Sequence, residues 1–235
     1  MLSSCANEPA PVEANLPVIT APDGFEVNMI YSPTAHGQGS WVSLAADNKG
    51  RLIASDQYGR IYRVTVNEDE VEVDSIELAV GSAQGLLWTN NGLYVSVNAR
   101  PDSLNPGSGL YRLTDSDNDD SLDKIEKLIS LEGEGEHGPH SIIQGPDGKS
   151  LYLIAGNHTR VPETFGSVLN GNWKDDQLFP AIKDPRGHAN DILPPGGWIA
   201  RSDDQGNSWK VIASGFRNAY DIAFNHLGDL FTYDS

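Results

Sequence analysis

The 235-residue sequence predicts an all-β fold. A short apolar run, a polar turn that contains glycine and a second short apolar run recur four times along the chain, and this order is typical of β-hairpins. The 24 glycines and 14 prolines, with a hydrophobic fraction of 38%, fit many short strands and turns. No long stretch has the 3.6-residue periodicity of a helix. Residues 120–131 have some of this periodicity, but the segment is short.

The four hairpin patterns occupy residues 41–56, 85–98, 141–157 and 221–235. Their starts lie 44, 56 and 80 residues apart, and hairpin repeats of roughly 40–50 residues with loop insertions indicate the blades of a β-propeller. Four blades would not close a ring. We therefore expect residues 16–235 to form an incomplete β-propeller of about four blades.

Residues 202–209 read SDDQGNSW. This stretch matches the Asp-box pattern of propeller blades through Ser202, Asp204, Gly206, Ser208 and Trp209. In that motif the aspartate holds the turn backbone and the tryptophan packs beneath it. We expect a structural role and assign the motif no chemistry.

The start of the chain predicts an export signal. Cys5, the only cysteine, follows Leu-Ser-Ser, which resembles the box at which bacterial lipoprotein signals are cut and acylated. The charged and apolar regions of a signal peptide do not precede it, so residues 1–15 are interpreted as a truncated lipoprotein signal followed by a polar linker. This interpretation predicts an exported protein, periplasmic or in the outer membrane, attached through a lipid anchor; an incidental cysteine is the alternative.

The composition excludes several classes of function. A formal net charge of -17 opposes nucleic acid and anionic membrane surfaces, since proteins neutralise phosphates with Lys and Arg. A single cysteine allows neither a disulfide framework nor a cysteine-based zinc site. The G-x-G-x-x-G within residues 133–138 is rejected as a dinucleotide site because two of its residues are glutamates and no helix follows. A neutral ligand or a cation fits this chain better.

The acidic stretch 115–126 predicts a calcium site. It places acids at positions 1, 3, 5, 9 and 12 of a calcium loop: Asp115, Asp117, Asp119, Asp123 and Glu126. Asp120 departs from the EF-hand pattern, which has glycine at that position, so we expect a looser geometry. The alternative is a solvated acidic loop between blades.

Two short segments carry candidate chemistry. His137 and His140 lie three residues apart in GEGEHGPH, and they could be metal ligands, a catalytic base with its neighbour, or polar residues in a turn. Arg217 and Asn218 precede an apolar strand. An arginine there offers a planar fork to a carboxylate or carbonyl oxygen, whereas pairing with an aspartate between blades is the structural alternative.

These segments together resemble the glucose/sorbosone dehydrogenase family, the soluble quinoprotein sugar dehydrogenases with a six-bladed β-propeller. They resemble still more the propeller domains of bacterial membrane-bound dehydrogenases that are often fused to a c-type haem domain. The likeness runs from about Gly24 to Ser235. Its most specific parts are the H-x7-G-P-D-G block that starts at His137 and the R-N-x4-A-F block that starts at Arg217.

The resemblance implies roles for particular residues. His137 falls on the position of the catalytic base, with Glu136 at that of a neighbouring acid, and Arg217 and Asn218 fall on the pair that contacts pyrroloquinoline quinone (PQQ). Two further residues are implied to face the substrate or the cavity: Gln84, which is one residue out of register, and His140. Arg186 and His188 are candidates because basic residues are scarce in this chain and would suit the carboxylates of PQQ or the hydroxyls of a sugar. A position in a surface loop is the alternative for both.

The implied function is PQQ-dependent oxidation of a sugar or alcohol, with Ca²⁺ as a second cofactor and a c-type cytochrome or fused haem domain as electron acceptor. His137 would take the hydroxyl proton as hydride moves to the quinone, and Arg217 would stabilise the oxyanion of the reduced cofactor. Two alternatives stay open. The Asp-box and the acidic composition are compatible with a glycosidase-like or lactonase-like propeller, and a non-catalytic propeller that binds glycan or protein is the other.

Overall fold

The computed structural model describes residues 19–68, 70–100, 104, 107–169, 192, 196–203 and 205–234. Within these residues a single 3-10 helix, Pro33–His36, accompanies fifteen strands, which confirms the all-β prediction. The chain divides into a unit of residues 1–32 and a unit of residues 33–235. The described part of the first unit, 19–32, contains no helix or strand. The predicted signal and linker, with Cys5, lie outside the described residues.

The strands form three sheets and a hairpin in chain order. The first sheet is β1-β2-β3-β4, with bounds Trp41–Ala46, Leu52–Asp56, Ile61–Val66 and Val71–Ser75. The second is β5-β6-β7-β8, with bounds Ala83–Thr89, Gly92–Val97, Gly109–Thr114 and Lys124–Ser130. The segment 120–131, which has weak helical periodicity in the sequence, therefore contains the edge strand β8 and no helix.

The third sheet has the order β11-β13-β12-β10-β9. Its antiparallel strands are β9 (Pro139–Gln144), β10 (Leu151–Ala155), β12 (Gly197–Ser202) and β13 (Lys210–Phe216), and β11 (Gly166–Ser167) adds a parallel edge. The hairpin is β14 (Ile222–Phe224) with β15 (Leu230–Thr232). The four predicted hairpins are thus the first two strands of four successive units, which confirms a partial β-propeller. In the part of the chain that the structure describes, no helix is long and apolar enough to cross a membrane.

The hairpin turns follow from their sequences. In three of them one side chain of the turn accepts two backbone N–H groups: Asp47, Asp147 and Asn225. In the fourth, Asn90 and Asn91 have φ of 51° and 53°, the left-handed pair that a type I′ turn requires.

The core lies between successive sheets because each strand alternates its two faces. In β6, Leu93, Val95 and Val97 pack into a cluster with the first sheet, whereas Tyr94 packs into a cluster with the third. In β10, Tyr152 and Ile154 pack toward the final hairpin. Both faces of the inner strands are therefore buried, as stacked propeller blades require.

The Asp-box has the structural role that its sequence predicts. The Gly206 amide donates to Ser202 Oγ at 2.9 Å, and the Trp209 indole N–H donates to the Gly206 carbonyl at 2.9 Å. Trp209 is only 4% exposed and lies in the core between the second and third sheets. Asp204 lies outside the described residues.

Candidate functional site

A cavity of about 930 Å³ opens at one end of the strands. In an antiparallel pair the start of one strand lies beside the end of the next, so residues before the first strand of each unit meet residues after the second. The lining follows this rule: Gln57 and Tyr58 after β2; Gln84, Asn98, Ala99 and Arg100 around β5 and β6; Glu134, Gly135, Glu136, His140 and His158 around β9 and β10; Asn218 and Tyr220 before β14.

His140 is held in the cavity wall by the segment before β14. Its Nε2 lies 2.8 Å from Asn218 Oδ1, and its ring lies against Tyr220 with 4.6 Å between centroids. An amide oxygen can only accept, so Nε2 carries the proton and Nδ1 carries a lone pair. Burial lowers the pKa of His140 to about 4, against the raising effect of the Asn218 bond, and the electrostatic effect of the nearby His137 lowers it further. The imidazole is therefore neutral at pH 7.

Tyr220 continues this network toward the first sheet. Its hydroxyl donates to Gln84 Oε1 at 3.0 Å, and Gln84 Nε2 donates to the Gln57 carbonyl at 3.2 Å. Burial raises the pKa of Tyr220, and the nearby Asp221 and Tyr233 raise it further, so the phenol remains a donor. Gln84, predicted to face the substrate, therefore lies in the cavity wall with a fixed amide orientation.

His137 lies beside the cavity and is 1% exposed. Its Nδ1 is 2.7 Å from Asn157 Oδ1, which places the proton on Nδ1 and the lone pair of the neutral ring on Nε2. Its ring lies 4.7 Å from that of His158, which lines the cavity. His137 itself is not among the described lining residues. Its predicted role as a base stays a prediction.

The two residues of the predicted cofactor pair differ in their position relative to the cavity. The backbone amides of Arg217 and Asn218 both donate to the Asp234 carboxylate at 2.7 Å, so one carboxylate fixes this segment. Asn218 lines the cavity. Arg217 is half-buried and is not among the described lining residues, although its carbonyl accepts the Asn157 N–H at 2.9 Å. Arg186 and His188 lie outside the described residues.

Sequence reasoning missed the wall formed by Asn98, Arg100 and Tyr58. The Arg100 guanidinium lies 4.2 Å from the centre of the Tyr58 ring, a cation–π arrangement. Asn98 Nδ2 donates to the Gly135 carbonyl at 2.7 Å. A Cβ at Gly138 would overlap the Asn98 carboxamide, which explains the glycine within EHGPH. The only sequence signal was that these residues directly follow predicted strands.

The acidic loop brings three of the five predicted calcium ligands together. Ligand atoms of Asp115, Asp117 and Asp119 all lie within 4.8 Å of one another, and the Asp119 carboxylate raises the pKa of Asp117. Asp123 and Glu126 are outside this cluster. The Asp123 carboxylate instead accepts from the amide and hydroxyl of Ser116 at 2.8 and 2.6 Å.

Asp120 has a different role in the same loop. It adopts φ of 76°, the left-handed conformation for which an EF-hand has glycine, and aspartate is among the residues that tolerate it best. Its carboxylate is bound bidentately by Arg51 at 2.7 and 2.8 Å, and Arg51 also bonds Asp47 at 2.8 Å. This guanidinium holds the pKa of Asp120 well below its usual range. The network joins a turn of the first sheet to a loop of the second.

No family model and no curated protein matches the chain. Among solved structures it is similar to the calcium and iodide structures of Trichoderma reesei Carbohydrate-Active Enzymes Family AA12. Both are 15% identical and cover 91% of this chain and 49% of that chain, with TM-scores of 0.55 and 0.56. It is also similar to the PQQ-bound form of aldose sugar dehydrogenase from Streptomyces coelicolor, at 18% identity over 83% of this chain and 56% of that chain, with a TM-score of 0.52.

These similarities establish the fold. The chain spans about half the length of the solved structures it matches. At these identities the likeness carries the β-propeller architecture and no activity. The assignment to the glucose/sorbosone dehydrogenase family stays a prediction.

Proposed function

We propose that the cavity binds a sugar or a small alcohol, and that the chain contributes this site to an oxidoreductase. The observation that supports the binding role is the fixed polar wall of His140, Asn218, Tyr220 and Gln84. Neutral, pre-oriented donors and acceptors suit a ligand whose groups are hydroxyls, because each hydroxyl both donates and accepts.

The oxidant in this proposal is PQQ. One feature of the cavity supports the binding of PQQ. The Arg100 guanidinium, which stacks on Tyr58, supplies a cation for a carboxylate of PQQ beside a flat aromatic ring. Arg100, Tyr58 and Asn218 would hold the cofactor, which, when bound, would supply a two-electron quinone acceptor. The family resemblance assigns Arg217 as a second cation in contact with PQQ.

His137 is proposed to take the hydroxyl proton at Nε2. The Asn157 carboxamide fixes the tautomer that leaves the lone pair on this nitrogen. His158 lies against His137 and lines the cavity, so the base stands directly behind the binding surface.

The remaining parts of the proposal come from the sequence. Ca²⁺ would bind at Asp115, Asp117 and Asp119 as a stabilising ion. Electrons would pass to a c-type cytochrome or a fused haem domain. The protein would be exported, to the periplasm or the outer membrane, with Cys5 as the lipid attachment point.

Dye reduction tests the proposed function. The native gene product, supplied with PQQ and Ca²⁺, is assayed with a panel of aldoses and alcohols, and cytochrome c is then tried as acceptor. We expect substrate-dependent reduction that is lost in His137→Ala and kept in His226→Ala, whose histidine is exposed in the last hairpin turn. An absence of dye reduction with every substrate would refute the proposed oxidoreductase function.

One observation favours a second function, hydrolysis of a glycoside or lactone. Glu134 and Glu136 both line the cavity, and a pair of carboxylates is what glycoside hydrolysis requires. Release of acid from a lactone, or of nitrophenol from a nitrophenyl glycoside, would support it if Glu134→Gln and Glu136→Gln abolished that release.

A further inference from the structure

Two buried acceptor atoms in the cavity wall have no hydrogen-bond partner among the described residues. They are His140 Nδ1 and Asn98 Oδ1. Both residues line the cavity, and they are 2% and 9% exposed. Buried polar atoms in native proteins are nearly always bonded, so each exception calls for a missing partner.

The chemical identity of both atoms follows from their neighbours. Asn98 Nδ2 donates to the Gly135 carbonyl at 2.7 Å, which fixes the orientation of the carboxamide and leaves Oδ1 as the remaining atom. His140 Nε2 donates to Asn218 Oδ1 at 2.8 Å, which leaves an unprotonated Nδ1. Both atoms can therefore only accept a hydrogen bond.

The acceptor character of His140 persists at neutral pH. Burial lowers the pKa of His140 to about 4, so the ring does not gain a second proton under ordinary conditions. Four side chains of this region, those of Asn218, Tyr220, Gln84 and Asn98, are already oriented by bonds to neighbouring residues. The two acceptors are thus held in place before any ligand arrives.

We propose that His140 Nδ1 and Asn98 Oδ1 form an acceptor subsite that receives hydroxyl groups of the substrate. The proposal rests on the proposed function of the cavity as a sugar or alcohol site, and it assigns substrate selection to these two residues. A ligand hydroxyl supplies the donor that each atom lacks. The periphery of PQQ offers mainly carboxylate and quinone oxygens, which are acceptors themselves, so this subsite belongs to the substrate and not to the cofactor.

Selectivity follows from the unpaired state of the acceptors. A ligand that lacks the relevant hydroxyl leaves a buried acceptor unsatisfied in the complex, and sites of this kind reject deoxy analogues strongly. We expect the deoxy analogue that lacks a subsite hydroxyl to bind at least tenfold more weakly than its parent. Removal of the protein acceptor should abolish that difference.

The test measures binding calorimetrically without a quinone. The probes are D-glucose, D-galactose, D-xylose and sorbitol, and the tightest binder is compared with its monodeoxy analogues. The variants are Asn98→Leu and His140→Phe, with His226→Phe as a control. Asn98→Ala, which removes the same acceptor with a smaller apolar side chain, covers the case in which the leucine variant fails to fold.

The expected result is that Asn98→Leu, or Asn98→Ala in its place, and His140→Phe each bring one parent-to-deoxy ratio to within twofold, whereas His226→Phe keeps both ratios. Unchanged ratios in the variants of Asn98 and His140 would overturn the subsite and mean that buried water serves these acceptors. The failure of every probe to bind would also overturn the subsite. Dye reduction is scored separately. Selective binding without turnover would overturn the oxidation only, and turnover without subsite-dependent selectivity would overturn the subsite only.

Discussion

Asn218 Oδ1 accepts a hydrogen bond from His140 Nε2 at 2.8 Å, across 78 residues of sequence. This bond joins the third sheet to the segment before the last hairpin and determines which nitrogen of His140 carries the proton. The orientation of the cavity wall therefore depends on a contact between two blades.

A carboxylate in place of the Asn218 amide should change the charge of His140. In Asn218→Asp we expect the pKa of His140 to rise from about 4 toward its ordinary value of 6.5, because a neighbouring anion stabilises the imidazolium. Titration of the ring protons by NMR measures this. A pKa that stays near 4 in Asn218→Asp would show that the two side chains are not in contact in solution.

Stability should fall on mild acidification because of His140. The unfolded histidine takes up a proton near pH 6.5, whereas the folded one does so only near pH 4. The stabilisation is thus complete above pH 6.5 and is lost as the pH falls toward 4. Between pH 7 and pH 5 this group should cost roughly 2 kcal/mol of unfolding free energy. Urea unfolding of the wild type and of His140→Phe isolates the term, and equal pH dependence in both proteins would refute it.

Trp209 should be a major stabilising residue of the third sheet. Trp209→Ala removes a side chain that is 4% exposed and leaves a cavity between two sheets, so we expect a loss of about 3–5 kcal/mol in unfolding free energy. Tyr233→Ala, at a residue that is 71% exposed, is the control and should change it by less than about 1 kcal/mol. Similar losses in the two variants would contradict the buried position of Trp209.

The Arg51 network should stabilise the contact between the first two sheets. Arg51→Met leaves the buried Asp47 carboxylate and the Asp120 carboxylate without their guanidinium, and we expect a loss of about 2–3 kcal/mol. Arg60→Met removes an exposed pair with Glu77 and should cost about 0–1 kcal/mol. Chemical denaturation of both variants compares them, and an equal effect would mean that the network is no stronger than a surface pair.

Calcium should raise the melting temperature through the loop at 115–119. Three clustered carboxylates repel one another, and a divalent cation relieves that repulsion. We expect an increase of a few degrees at saturating Ca²⁺, abolished by Asp117→Asn and reversed by a chelator. Glu126→Gln should keep the increase because Glu126 lies outside the cluster. The absence of any calcium effect would identify a solvated acidic loop.

The regular part of the fold was predictable because it depends on local patterns. Alternating apolar residues and turns such as the one at Asp147 and Gly148 specify hairpins with information from about fifteen residues. The position of Trp209 beneath its turn was predictable for the same reason. Among the acidic residues, spacing alone indicated five ligands, and the turn geometry brought together only Asp115, Asp117 and Asp119.

The cavity wall was predictable only in part. Spacing along the sequence identified His137, His140, Gln84 and the segment at 217–218, all of which lie in or beside the wall. It did not identify Asn98 or Arg100, because isolated polar residues after a strand have no distinctive pattern. Their contribution arises from neighbours that are distant in the sequence, such as Gly135.

The sequence by itself determined the all-β class, the four hairpins, the Asp-box and the acidic character, since each depends on residues close together in the chain. The tertiary structure alone decided the protonation pattern of the two histidines, the pairing of Arg51 with Asp120 and the two unpaired acceptors in the cavity. The physical reason is that pKa values, ion pairs and unsatisfied polar atoms depend on burial and on the contacts between blades. Those contacts join residues up to 136 positions apart, as Tyr220 and Gln84 illustrate.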